Sequence, residues 1–552
     1  MKRILRSLTE KKQLMTLVVS LLLWAVTFYT DTKIFSKDAL NMNCLPIDTA
    51  MVPFMHITSK LLVLVCIYLF LSFLLYAWKR PRLLIPFLIL MVIYCAGLIF
   101  TYPGYYMNDD AIIFAYATRY YPVYWHNYLT SLFYMTALSL FPASCGPVLL
   151  SDTLYALTYA YLFYRADRIY KSRWCLLTLI AGVLPFTLLG ALMCFRPAIY
   201  ASFFLFYFIY LFLEHKERAA CGNAKLFLLA LLTAVLALWR SESIILLPIG
   251  FILIALTYHS GSFFSKQTLK RAGTFLLLSC VLFVLIKMPQ SHGEKTYYGS
   301  DYLIISTTRP LSVIVHREQT YDGAQEDLAN VSAVTEFGYL HNDSLSCGSY
   351  NRYNSDHNEG RYTQTGASDT VQKAYLKSAM RLIFHNLDLY FGERIQLFCV
   401  TNGIYNYPSE LVLNLSPVTS SDFHLYDHDK NYGQTMLEAF LRFPFSYHAD
   451  YAVYLFEHGG EAYLPMLFLL FAGMLYTAIR KNWFSFFCFL ALLGREIVIF
   501  LTAPASFIQY SYPMMYVTAA FLLLLLTDAL CGRPAKKRFS SQTEEMTKPE
   551  SV

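Results

Sequence analysis

Charge is what this chain has least of. Only 15% of its 552 residues are Asp, Glu, Lys or Arg, against 56% hydrophobic and 17% aromatic. A soluble domain typically carries about 25% charged residues, so a soluble globular protein of this size is excluded. The net charge of +7 comes from short basic clusters between apolar runs, which argues against nucleic acid as a partner. Metal and redox cysteine spacings are also missing. The 12 cysteines are scattered, with no Cys-x-x-Cys pair, and most sit inside apolar runs where they pack as small hydrophobes. No internal repeat is visible, which weighs against transporter folds built from two related halves. After the first apolar run, Thr30-Asp31-Thr32-Lys33 offers no small-residue cleavage site. That run is therefore expected to be a retained span rather than a cleaved leader.

What is present is a succession of apolar runs of the length that crosses ~30 Å of hydrocarbon. They fall near 14–33, 59–78, 83–101, 127–142, 147–164, 174–193, 197–213, 225–239, 243–258, 273–288, 463–479, 483–502 and 511–530. Lys and Arg resist translocation and so mark the cytoplasmic side. On that rule Lys2-Arg3, Lys79 to Arg82, Arg165 to Arg173, Lys216 to Arg218, Lys266 to Arg271, Arg480-Lys481 and the tail from Arg533 all lie inside. Both termini are then cytoplasmic, which requires an even number of crossings. The weakest run, 127–142, is short and interrupted by Thr130, Ser131, Thr136 and Ser139, and reading it as re-entrant or interfacial repairs the parity. The expected fold is an all-α polytopic membrane protein of about 12–14 transmembrane segments, with a mixed extracytoplasmic domain. Its expected parts are a transmembrane region 1–288 with an outer loop 102–126, an outer domain 289–462, a second transmembrane region 463–532, and a polar, disordered tail 533–552. Within the outer domain, 371–398 has helical spacing. Cys347 and Cys399 fall there too, and the sequence leaves their pairing open.

Several polar groups sit where hydrocarbon makes them costly. Pro103-Gly104-Tyr105-Tyr106-Met107-Asn108-Asp109-Asp110 follows an apolar run directly. One reading is helix capping by Asn108 or Asp109. The other uses a carboxylate as general base, tuned by its like-charged neighbour. The two are compatible. His126, in Tyr124-Trp125-His126-Asn127, lies on the same outer loop, within what would otherwise be an interfacial aromatic belt. Trp239-Arg240-Ser241-Glu242 forms a tight outer turn, where a cation suits a phosphate. Arg196 falls on that side as well. Arg495-Glu496 is embedded in an apolar run, either as a self-neutralising pair or facing a polar cavity. Carboxylates and cations at one outer site suit a substrate with a lipid-linked phosphate leaving group.

Three short motifs, in their order and placement, resemble the GT-C superfamily of integral-membrane glycosyltransferases, in particular the bacterial branch related to protein mannosyltransferases. The first is Tyr102-Pro103-Gly104 with Asn108-Asp109 and then His126. The second is Arg240, Glu242 and Pro248. The third is Tyr510-Ser511-Tyr512-Pro513, preceded by Gln509 where the branch usually has Arg. The resemblance implies a GT-C-like fold and transfer of a sugar from a polyprenyl-phosphate carrier to an acceptor outside the cytoplasm, such as a cell-envelope glycan, lipid or protein. Asp109 matches the catalytic outer-loop Asp, with Asp110 its neighbour. His126, Arg240, Glu242, Arg495 and Tyr512 are then substrate-binding candidates. A divalent cation at the acidic pair is left open, because two adjacent carboxylates make an incomplete cage. The expected partners are the lipid-linked donor and membrane lipid; oligomeric state is not readable. Two alternatives stay open: a surface-polysaccharide polymerase or ligase using Arg309, His316-Arg317 and Arg352, and a transporter or flippase. Asn330, Asn342 and Asn414 open Asn-x-Ser sequons in the outer domain.

Overall fold

The computed structural model describes residues 2–35, 45–106, 108–194, 196–218, 220–258, 265–298, 301–335, 337, 369–401, 463–503 and 508–531. Among them the chain is helical, with no strand; an isolated bridge joins Tyr105 and Met193. The helices are α1 (Lys2–Ile34), α2 (Val52–Ala77), α3 (Pro81–Thr101), α4 (Asn108–Ala117), α5 (Tyr128–Leu140), α6 (Gly146–Tyr170), α7 (Leu177–Val183), α8 (Pro185–Ala191), α9 (Arg196–Glu217), α10 (Asn223–Trp239) and α11 (Leu246–Thr257). They continue with α12 (Lys266–Gly293), α13 (Asp301–Ile314), α14 (Ala324–Ser332), α15 (Asp369–His385), α16 (Leu387–Thr401), α17 (Tyr463–Ile479), α18 (Trp483–Thr502) and α19 (Tyr512–Cys531). Short 3₁₀ turns, Ser241–Ile245 and Ile508–Ser511, lead into α11 and α19.

This is a helical membrane protein. Seven helices are long and apolar enough to cross a bilayer, or eight if the bent stretch Arg173–Ala191 counts as one broken span. Every one of the apolar runs read from the sequence is helical, yet fewer than 12–14 are full spans. For α6, with 25 residues, the shortfall is apolarity rather than length; for the shorter helices it is length. At 1.5 Å per residue, α5 with its 13 residues reaches only about 20 Å, well short of ~30 Å of hydrocarbon. Tyr128 and Thr130 through Ser139 of α5 are buried in the bundle. Its polar groups are satisfied internally, with Thr136 bonding Leu132 O and Tyr134 OH donating to Cys194 O at 3.0 Å.

Burial sorts the spans. Only 17% of the spanning windows of α1, α2 and α12 is buried, so those helices offer an apolar outer face to lipid. In α9 the share is 83%, because Ile199, Phe204, Leu205, Phe208 and Phe212 surround its axis with apolar contacts. A helix apolar all round belongs at the centre.

Ion pairs collect at one end of the bundle. Arg165 near the end of α6 binds Glu214 and Glu217 at the end of α9, Lys225 at the start of α10 also reaches Glu214, and Lys216 pairs with Asp528 at the end of α19. Arg82 at the start of α3 meets Asp167. The basic residues at the start of α3, the end of α6, the end of α9 and the start of α10 thus share an end, and the start of α9, the end of α10 and the start of α19 must gather at the other.

The stretch beyond α12 has its own small core of Ile304, Leu311, Ile314, Val331, Tyr375 and Leu382. It was expected to be mixed; its described residues, α13 to α16, are helical. Residues 338–368 and 402–462 lie outside the described residues, and with them Asn342, Cys347, Arg352 and Asn414, as does the tail 533–552. Cys399 forms no disulfide among the described residues.

Candidate functional site

The turn before α4 is built by Gly104. Its φ of +103° suits glycine, and an added Cβ would lie 2.6 Å from Val148 Cγ2. That close approach lets Tyr105 N donate to Leu192 O at 3.1 Å, which anchors the chain just ahead of α4. Helix α4 then starts at Asn108, so Asp109 and Asp110 both occupy its first turn, where the helix dipole favours carboxylates. Neither is outside the helix as a cap, and the side chain of Asn108 lies outside what is described.

Successive helical residues project about 100° apart, and this divides the acidic pair. Asp110 is 1% exposed, with Tyr106, Tyr134 and Cys194 as electrostatic neighbours. The Asp109 side chain is 63% exposed, and its Oδ2 lies 3.7 Å from His126 Nε2. The two carboxylates therefore sit in different surroundings, one buried and one at the exposed edge. Among the described residues no three His, Cys, Asp or Glu side chains converge to hold a metal ion.

His126 is placed by Asn127. That residue, at φ +69°, caps α5 by accepting from Leu129 N at 3.1 Å. Its Nδ2 donates to Leu238 O at 3.0 Å, and Trp239 Nε1 donates to Thr130 Oγ1 at 2.9 Å. These bonds fasten the start of α5 to the end of α10, which brings His126 beside Arg240. From below, Gln290 on α12 bonds Tyr124 O and Tyr128 N. Burial drives the His126 pKa down to about 4, Arg196 and Arg240 push the same way, and Asp109 opposes them. The imidazole is neutral at pH 7.

Behind it lies a buried guanidinium–carboxylate chain. Glu242 Oε1 accepts from Arg240 Nε at 2.7 Å and from Arg495 Nη2 at 2.8 Å. Burial alone would raise the Glu242 carboxyl, but the two cations hold it at about 2. Arg495 Nη1 reaches Glu496 Oε1 at 3.1 Å, and Glu496 Oε2 accepts from Ser511 Oγ at 2.6 Å and Tyr463 OH at 3.1 Å. Arg240 lies over the Tyr510 ring at 5.1 Å and Arg495 over Tyr200 at 5.9 Å. Gly494 lets α18 press onto Ile245 in the turn after Arg240, which is how Arg495 gets within reach of Glu242.

Arg196, one turn before Tyr200 on α9, completes the group through its electrostatic contact with both His126 and Arg240. Arg196 Nε, Arg240 Nη1 and Arg495 Nε are buried with no hydrogen-bond partner among the described residues. Three cations face two buried carboxylates, with Asp109 at the exposed edge. Buried donors are ordinarily satisfied, so these three nitrogens stand out as hydrogen-bonding capacity that the described residues do not use.

Five of the sequence candidates are thereby brought together: Asp109, His126, Arg240, Glu242 and Arg495. Two are not. Asp110 faces Tyr134 and Cys194, and Tyr512 stacks on Tyr516 at 5.8 Å with Tyr155 as its electrostatic neighbour. Two residues back, Tyr510 is the member of that motif that meets Arg240. Arg309 is also engaged elsewhere: it pairs with Glu393, which pairs in turn with Arg394, while Arg317 meets Asp388 at 2.7 Å. No known family model, characterised protein or solved structure matches the chain.

Proposed function

We propose that this protein is a glycosyltransferase of the cell membrane, moving a sugar from a polyprenyl-phosphate carrier to an acceptor on the outer side, with both termini in the cytoplasm. The observation that carries the reading is the trio of buried, unpaired guanidinium nitrogens on Arg196, Arg240 and Arg495, set beside an exposed carboxylate on Asp109. In this reading the carrier phosphate occupies the cationic cluster. The acceptor hydroxyl attacks the anomeric carbon, the bond from that carbon to the phosphate oxygen breaks, and the hydroxyl proton passes to Asp109. The carrier leaves as a phosphate anion whose new charge the arginines neutralise. Neutral His126 hydrogen-bonds phosphate or sugar without adding charge. Engagement of Arg309 and Arg317 in ion pairs weakens the polymerase alternative, which relies on them.

The test is sugar transfer from labelled polyprenyl-phospho-sugars by purified protein, read as carrier release. Asp109→Asn should abolish turnover, by a factor of about 10² or more for a lost general base, while expression and membrane insertion stay intact. Full activity in that variant refutes the assignment of Asp109, and absence of carrier release with every donor class refutes the reading as a whole.

A further inference from the structure

Helix α6 carries a second buried polar group that plays no part in the site above. Asp152 is 0% exposed, and both of its carboxylate oxygens are without a hydrogen-bond partner among the described residues. It opens a stripe on α6 with Tyr155 and Tyr159, three and seven residues on, which share its helical face. All three are fully buried. The groups that face this stripe are neutral. They are Tyr94 and Cys95 from α3, which with Tyr155 are the electrostatic neighbours of Asp152, and Tyr516 from α19, whose ring lies 6.0 Å from that of Tyr155. Thr187 of α8 adds a hydroxyl beside Tyr159. The Tyr516 hydroxyl also has no hydrogen-bond partner among the described residues. On α8, Gly190 leaves the space that Tyr516 OH occupies, since a Cβ there would lie 2.1 Å from it.

An ionised carboxylate with no cation and no donor cannot persist in such surroundings, because the cost of burying it far exceeds that of binding a proton. Ion pairs neutralise Glu242 and Glu496 through arginines, and Glu214 through Arg165 and Lys225. For Asp152 only a proton remains. We propose that Asp152 is a buried proton-binding site within the helical bundle, protonated at neutral pH and able to exchange that proton with solvent. This is the property a relay or coupling carboxylate needs inside a helical bundle. It rests on none of the residues assigned to sugar transfer.

Infrared spectroscopy of the full-length protein in bilayers tests it, with Asp152→Asn as the matched variant. A protonated-carboxyl C=O band is expected in the wild type at pH 7, displaced in deuterated buffer and absent from Asp152→Asn. Raising the pH should remove the band reversibly, and dicyclohexylcarbodiimide, which reacts with acids in apolar settings, should label Asp152 only while the band is present. Wild-type and Asp152→Asn spectra that coincide in the acid C=O region would overturn protonation. A band indifferent to deuterated buffer and to alkaline pH would overturn proton exchange. Since Asn keeps the shape of Asp and adds no charge, the variant should melt within a few degrees of wild type. A large loss would point instead to an ionised, paired carboxylate and would also overturn the proposal.

Discussion

Consider acidification and its effect through His126. In the unfolded chain an imidazole titrates near 6.5, whereas in the folded protein burial holds His126 at about 4. Between those values the unfolded state binds a proton that the folded state refuses. Stability therefore rises with pH across the window and is lost as pH falls from about 6.5 towards 4. The side chain is only 7% exposed, so solvent screening removes little of the effect. A shift of roughly 2.5 units at about 1.4 kcal/mol each amounts to ~3 kcal/mol at the acid end of the window. The measurement is denaturant unfolding in detergent micelles from pH 8 to pH 4, comparing wild type with His126→Gln, which cannot titrate. Other groups cancel in the difference. Above pH 7 the two curves should run parallel, and below about 6.5 the wild type should lose ground progressively. The opposite sign, with wild type gaining on the variant as pH falls, would mean that His126 takes a proton and pairs with Asp109 at 3.7 Å. That outcome, or parallel curves throughout, would refute the neutral imidazole.

Two further variants probe the supports of the site. Gly104→Ala must hold a backbone at φ +103° and press on Val148, so a loss of about 1–3 kcal/mol is expected; an unchanged melting temperature would show that the turn adapts. Glu242→Gln leaves Arg240 and Arg495 without their shared carboxylate. It should cost about 3–5 kcal/mol, part of it recovered by added inorganic phosphate; a variant that melts with wild type and ignores phosphate would deny the cluster its anion-receiving character.

Much of the fold was legible because hydrocarbon imposes a one-dimensional rule: each apolar run corresponds to a helix. The count of full spans was not, since α5 and α10 are apolar enough to look like spans but are held as shorter pieces inside the bundle, where neighbours satisfy their polar groups. The same split runs through the site. Asp109, His126, Arg240 and Glu242 were readable as costly polar groups at the ends of apolar runs. Arg495 was ambiguous, because a mid-helix Arg-Glu pair reads as self-neutralising until its second partner, Glu242, is seen 253 positions away in the chain. Arg196 lay in view on the same side without a signal to join it to the others. Asp152 carried the mark of a lone acid in an apolar run, but only the tertiary structure shows that no cation or donor among the described residues reaches it.

What the sequence determined by itself was the apolar surroundings of this chain and the confinement of most of its charges to the ends of apolar runs. Both follow from the local cost of placing a polar group in hydrocarbon. Which carboxylate of the Asp109-Asp110 pair faces the cations was decided only by the tertiary structure, through the turn at Gly104 that sets the phase of α4. So was the meeting of Arg196, Arg240 and Arg495, because it depends on three helices whose ends come together only when α9 is enclosed.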